Sequence, residues 1–162
     1  MADNDANVLV GYATISVDGV DCGHLKEGVT VRMARDYYDV EGQHRVGVIK
    51  KVKTKEALFV ATTIQEPTLT RLKQVWDQGT GSVAGTSLTL GVTTTTEHTI
   101  VIVGPGPSAG TRTITLYRAV SINEGAMPMS QTEEAAIPIE FECLKDMDNG
   151  AKFGLIVDTL AA

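Results

Sequence analysis

The chain has 162 residues, 14 Lys and Arg against 20 Asp and Glu, a formal net charge of −6, and 43% hydrophobic and 21% charged residues. That length fits one domain able to bury a core without staples, and the acidic balance argues against a protein that grips nucleic acid through its phosphates. Aromatic residues make up only 5% while Thr, Val and Gly recur, a mixture that favours strands joined by turns.

Residues 1–7, MADNDAN, are polar and acidic and read as a flexible arm, neither signal peptide nor membrane anchor. Residues 8–162 read as a single domain. Its first strand is expected at 8–17, VLVGYATISV, closed by the turn Asp18-Gly19, with a short piece following at 20–25. Val29, Val31 and Met33 alternate with Thr30 and Arg32, the period of a strand wet on one face. Residues 36–45, DYYDVEGQHR, read as a polar connection with Glu41-Gly42 near its tip. Strand pattern resumes at 46–53 and again at 58–64.

The stretch 66–79, EPTLTRLKQVWDQG, is the one convincing helix, expected over about Pro67 to Gln78. Leu69, Leu72, Val75 and Trp76 share a face by their spacing, and Arg71, Lys73, Gln74 and Asp77 take the other. Pro67 suits a first helical turn, and Gly79 with Gly81 supplies the stop. Such a face needs a sheet to lie on, so Trp76 is expected to plug the end or side of a barrel. After a glycine-rich linker, residues 88–92, 98–103 and 111–120 read as strands, with GPGPSAG at 104–110 as the turn between the last two. Residues 121–134 form an exposed crossing. Ile137, Ile139, Phe141 and Cys143 then alternate with Pro138, Glu140 and Glu142, residues 146–150 turn the chain, and 153–157 close the set. The fold class is therefore mainly β, an antiparallel sandwich or barrel with one flanking helix.

Little of this sequence carries chemistry. In GPGPSAG, Thr111 stands where a phosphate loop needs Lys, and Pro105 and Pro107 lack amide hydrogens, so it is a hairpin turn. Cys22 and His24 share a strand face, and His44, His98 or Cys143 would have to complete a zinc site, but the spacing matches no recurrent zinc pattern. The plain reading is buried thiols and a surface imidazole in a reduced, cytoplasmically made protein. Three scattered histidines offer no general base that the sequence singles out, and Glu140 and Glu142, two apart on one strand, lie too close to flank a glycosidic bond. No catalytic residue, cofactor or metal is expected, and no apolar run approaches membrane-spanning length.

The informative charges are Lys50, Lys51, Lys53 and Lys55, along a strand, and Asp36, Asp39 and Glu41 in the polar connection. Lysines guard a sheet edge against unwanted pairing, or mark an edge meant to meet a partner. Tyr37 and Tyr38, adjacent in a charged and exposed connection, need something to cover them: a barrel end or another protein.

Residues 116–158, LYRAVSINEGAMPMSQTEEAAIPIEFECLKDMDNGAKFGLIVD, run from a strand through an exposed crossing and an acidic, small-residue lead-in to IPIEFECL and a short last strand FGLIVD. In this, and in its central helix, long polar connection and acidic first residues, the chain resembles the tail tube proteins of long-tailed bacteriophages. The resemblance implies six-membered rings whose inner sheets join, stacked into a hollow tube through which DNA leaves without specific binding. It implies the chain itself as first partner, with sheath, tail terminator, tape measure and baseplate proteins as others, and a place in the virion tail. Asp36, Tyr37, Tyr38, Asp39, Glu41, Gly42, His44 and Arg45 would form the arm reaching an adjacent subunit or ring, and Glu140 and Glu142 are candidates for the lumen. A type VI secretion-like tube protein and a monomeric ligand-binding barrel are the alternatives.

Overall fold

A computed structural model describes residues 11–161 apart from 45, 79–82, 85, 92, 93 and 133. The expected flexible arm at 1–7, the start of the first strand at 8–10, and the helix stop at Gly79 and Gly81 lie outside the described residues.

The strands are β1 Thr14–Val17, β2 Val20–Asp21, β3 Thr30–Glu41, β4 Val48–Ile64, β5 Val83–Ala84, β6 Ser87–Leu88, β7 His98–Pro105, β8 Thr111–Ser121, β9 Ile137–Leu144 and β10 Gly154–Thr159, with helix α1 at Leu69–Val75. Apart from the small β5–β6 ribbon they form one antiparallel sheet in the order β2–β1–β7–β8–β9–β4–β3, with β10 beside β8. The sheet does not close on itself. Its two ends come together only where the segment after β2 meets β4, through the bridge Leu25 to Ile64 and the amide of Lys26 donating to the Thr63 carbonyl at 3.0 Å.

Alternation along the strands builds the core. Ile15 and Val17, Val60 and Ile64, Ile100, Leu116, and Ile137, Ile139 and Phe141 are each at most 2% exposed, all on the inner face of the curved sheet. β1, β4 and β8 finish at the same end, and α1 lies across it. Leu72 and Val75 are buried there, and the Trp76 indole N–H donates to the Gly125 carbonyl at 2.6 Å. A Cβ on Gly125 would stand 3.0 Å from Val75 and 3.1 Å from the indole, so a larger residue there would press on both side chains.

Five expectations are corrected here. The helix is shorter than Pro67 to Gln78: Thr68 is its N-cap residue, so Pro67 precedes it, and Asp77 ends it with φ 48°. Gln74 is not on the wet face. Its amide donates to the Val17 carbonyl at 3.1 Å and it is 7% exposed, because the helix packs this side chain against the end of β1. Arg71 is also largely covered, its guanidinium donating to the Asp21 carbonyl at 3.0 Å. Finally, 46–53 and 58–64 are one 17-residue strand, β4, and the polar connection 36–45 is mostly strand β3, with the turn starting at Gly42. The charged residues there break the alternation because that half of the hairpin leaves the core, and backbone pairing with cross-strand ion pairs keeps it extended.

Replacing Phe141 by Ala removes a ring that is 0% exposed and is expected to cost about 3–5 kcal/mol, read as a lowered midpoint in urea with an unchanged slope. Trp76→Phe, which keeps the apolar bulk and loses one hydrogen bond, is expected to cost about 1 kcal/mol.

Candidate assembly edges

β3 and β4 pair along the whole of β3, from Thr30 opposite Ala61 to Glu41 opposite Val48. β9 pairs with β4 only from Leu58 to Ile64. Below Leu58 the hairpin therefore projects beyond the sheet, and residues 48–57 of β4 have one side unpaired among the described residues. Two β-bulges on β4 bend it: Asp36 faces Lys55 while Tyr37 faces Lys53, leaving Thr54 over, and Val40 faces Lys50 while Glu41 faces Val48, leaving Ile49 over.

Register sorts the hairpin's side chains into two faces. The inner face continues from Met33 and Leu58 into Arg35 opposite Glu56, Tyr37 opposite Lys53 and Asp39 opposite Lys51. Arg35 and Lys53 bind the two oxygens of Glu56 at 3.2 and 3.0 Å, and Lys51 binds Asp39 at 2.8 Å. Hydrogen bonds from Lys53 first, and from Arg35, hold the Glu56 carboxyl below its ordinary value. The outer face carries Asp36, Tyr38, Val40, Lys50, Val52 and Lys55. Tyr37 and Tyr38 are 50% and 64% exposed, so neither folds back onto a barrel end.

The structure thus places Asp36, Tyr37, Tyr38, Asp39 and Glu41 on an edge strand, with Gly42 and His44 at the tip; Arg45 lies outside the described residues. Lys50, Lys51, Lys53 and Lys55 run along the half of β4 whose other side is open. Glu140 and Glu142 are half-buried on the outer face of β9. Glu140 is paired with Arg32 at 3.3 Å, and that guanidinium lies 4.4 Å from the centre of the Phe59 ring, so part of this wall's negative charge is neutralised within the chain.

Sequence reasoning missed β10 as an edge. β8 is bonded to β7 along one side; on its other side Arg118 to Ser121 meet β9 and Thr111 to Leu116 meet β10. β9 and β10 are thus two lengths of one strand line, interrupted by a loop at 145–153, rather than the two arms of a turn. Gly154 makes the re-entry possible, since a Cβ there would collide with the Thr115 carbonyl. The Arg112 guanidinium then clamps Asp158 at 2.6 and 2.7 Å. β10 bonds only to β8 among the described residues, and Leu155, Ile156 and Val157 are 54%, 60% and 46% exposed. The signal in the sequence was the unbroken run LIV, apolar on both faces of a strand that covers neither. Between β10 and the β3–β4 pair lies an apolar cleft of about 330 Å³.

The chemistry weighed from sequence resolves plainly. In GPGPSAG the Gly106 amide donates to the Gly110 carbonyl and the Gly110 amide to that of Pro107, so those amides are used within the turn. Burial raises the Cys22 thiol to about 11 and the Cys143 thiol to about 12. His98 is buried, its Nδ1 2.6 Å from Asp18, while His24 is exposed beside Glu66. Among the described residues no group of three or more His, Cys, Asp or Glu stands in position to hold a metal ion, and no helix is long and apolar enough to cross a membrane.

No protein-family model matches this sequence, and no curated protein matches it. Among solved structures 17 chains match. One belongs to the cryo-EM structure of the anti-feeding prophage baseplate, 6-fold symmetrised: it is 11% identical, the match covers 99% of this chain and 98% of that one, and the TM-score is 0.47.

Asp158 is held below its ordinary value by the Arg112 hydrogen bonds. A carboxyl with a depressed folded value contributes stability above its unfolded value and loses it as pH falls through the folded one. Amide protection factors across β10 are therefore expected to hold as pH drops through the usual aspartate range and to fall only below it. Asp158→Asn should lower them at neutral pH with little change in β7 or β8.

Proposed function

We propose that this chain is the structural subunit of a bacteriophage tail tube, with self-association as its activity. The observation that supports this best is the unfinished sheet. The outer side of β3, the lower half of β4 and the outer side of β10 have no strand partner among the described residues, and Tyr37, Tyr38, Val52, Leu155, Ile156 and Val157 stand exposed along them. Unpaired apolar edges are a liability that soluble monomers blunt; copies that complete one another remove it. The resemblance of residues 116–158 to tail tube proteins supplies the rest: six-membered rings stacked into a conduit, in a virion tail with sheath, terminator, tape measure and baseplate proteins as neighbours. A net charge of −6 suits a wall past which DNA slides, since like charge keeps the polymer from sticking.

Purified protein is expected to form stacked hollow rings in negative-stain images, with a sedimentation coefficient that climbs with concentration; a monomer at every concentration and salt retires this function. Deleting Glu41, Gly42, Gln43 and His44 is expected to stop tube growth while leaving the circular dichroism spectrum and melting temperature unchanged. Tubes of normal length from that deletion would remove the hairpin tip from the assembly.

A further inference from the structure

α1 covers one end of the curved sheet. Towards the other end the inner faces of β3–β4 and of β8–β10 part, and the cleft of about 330 Å³ opens between them. Val31 and Met33 of β3, Leu58 of β4, Ile114 and Leu116 of β8 and Ile156 of β10 line it. Leu58 and Leu116 are buried, whereas Met33 and Ile156 are 45% and 60% exposed, so the lining runs from the core out to water. Apolar walls with a few placed polar groups, at volumes of roughly 300 Å³ upward, are the form that small-molecule sites take. A dry cavity of roughly 150 Å³ accepts a six-carbon ring, so this one has room for about a dozen carbons, one alkyl chain.

The charges in the walls select the head of that chain. The one carboxylate in the lining, Glu56, is already bound by Arg35 and Lys53 at 3.2 and 3.0 Å. Lys145 and Lys152 also line the cleft, and neither is in an ion pair among the described residues. The Lys145 ammonium lies 5.5 Å from the centre of the Phe153 ring. Asp146, next to it in the chain, is occupied within its own turn, accepting from the Asp148 amide at 3.1 Å and from the Asn149 side chain at 2.5 Å. The cleft is therefore apolar within and positive in charge, which suits an anionic ligand and disfavours a cationic one.

We propose that this cleft binds a single-chain anionic amphiphile, a free fatty carboxylate, with the alkyl chain on the apolar lining and the carboxylate towards Lys145 and Lys152. The site belongs to one copy of the chain and does not rest on the tube reading.

The test titrates the full chain with dodecanoate, below its micelle concentration, by calorimetry. Dodecyltrimethylammonium, with the same chain and the opposite charge, is the comparison. The unaltered protein is expected to bind dodecanoate at least about tenfold more tightly than the cation, and each methylene removed from the carboxylate is expected to weaken binding by up to about fourfold. Lys145→Glu with Lys152→Glu is expected to reverse the preference. Ile156→Asp is expected to weaken dodecanoate at least about tenfold; the exposure of Ile156 makes this change compatible with folding, which circular dichroism checks for both variants. Equal affinity for the two amphiphiles, or a preference that survives the lysine reversal, would overturn the proposal by separating the head group from the lysines. Undiminished binding to Ile156→Asp would overturn it by placing the chain elsewhere. Absence of binding would overturn it as well, and sedimentation velocity then tells whether a second copy covers the cleft.

Discussion

A strand has two sides, and every backbone donor and acceptor on them must be met by something. β8 meets this condition through β7 on one side and β9 followed by β10 on the other. β4 meets it only in its upper half. The point at which β9 ends at Leu144 and the chain loops out before re-entering at Gly154 therefore determines the molecule's shape: above it the sheet is continuous and packed, below it the β3–β4 hairpin and β10 separate. The cleft, the exposed β10 and the projecting lysines all descend from that one interruption.

The upper half is where the apolar area is buried. Phe141, Val60, Ile100, Leu116 and Ala119 are within 2% of complete burial, and α1 seals the end where β1, β4 and β8 finish. Its polar contacts are few and local: Trp76 to Gly125, Gln74 to Val17, Ser121 to the Val75 carbonyl. Each serves a backbone carbonyl at the covered end of the sheet, in the crossing, in β1 or in the helix itself, where an orphan would be costly. The lower half relies on cross-strand ion pairs on exposed surface, which contribute little in water. Fold stability and assembly surface thus occupy different parts of one sheet.

What the sequence revealed follows this division. Alternation at Ile137, Ile139, Phe141 and Cys143 and the spacing of Leu72 and Val75 reported the core directly, because burial imposes period on composition. The projecting hairpin was harder. Residues 48–57 read IKKVKTKEA after Val48 and show no clean alternation, since neither face is buried, and Asp36 to Glu41 looked like a loop for the same reason. Gln74 was assigned to water because nothing local announces its contact with a carbonyl 57 residues earlier. That β10 is an edge depends on which strand lies beside it, a property of register between distant segments that no single stretch encodes. The candidate edges were therefore legible as charge and aromatic content, at Lys50 to Lys55 and Tyr37-Tyr38, but not as edges.

The pairing of β1 with β7 joins residues about 85 positions apart, as Ser16 to Val101 shows, whereas β3 and β4 pair across a single turn. Loop closure of that size costs entropy that only the completed core repays. On a ribosome, the hairpin can zip while β7 is still unmade, so the sticky part of the molecule precedes its compact part. Synthesis from clustered ribosomes would then bring growing chains into contact before any has a finished interior, and yield would depend on how closely translation is spaced along the message.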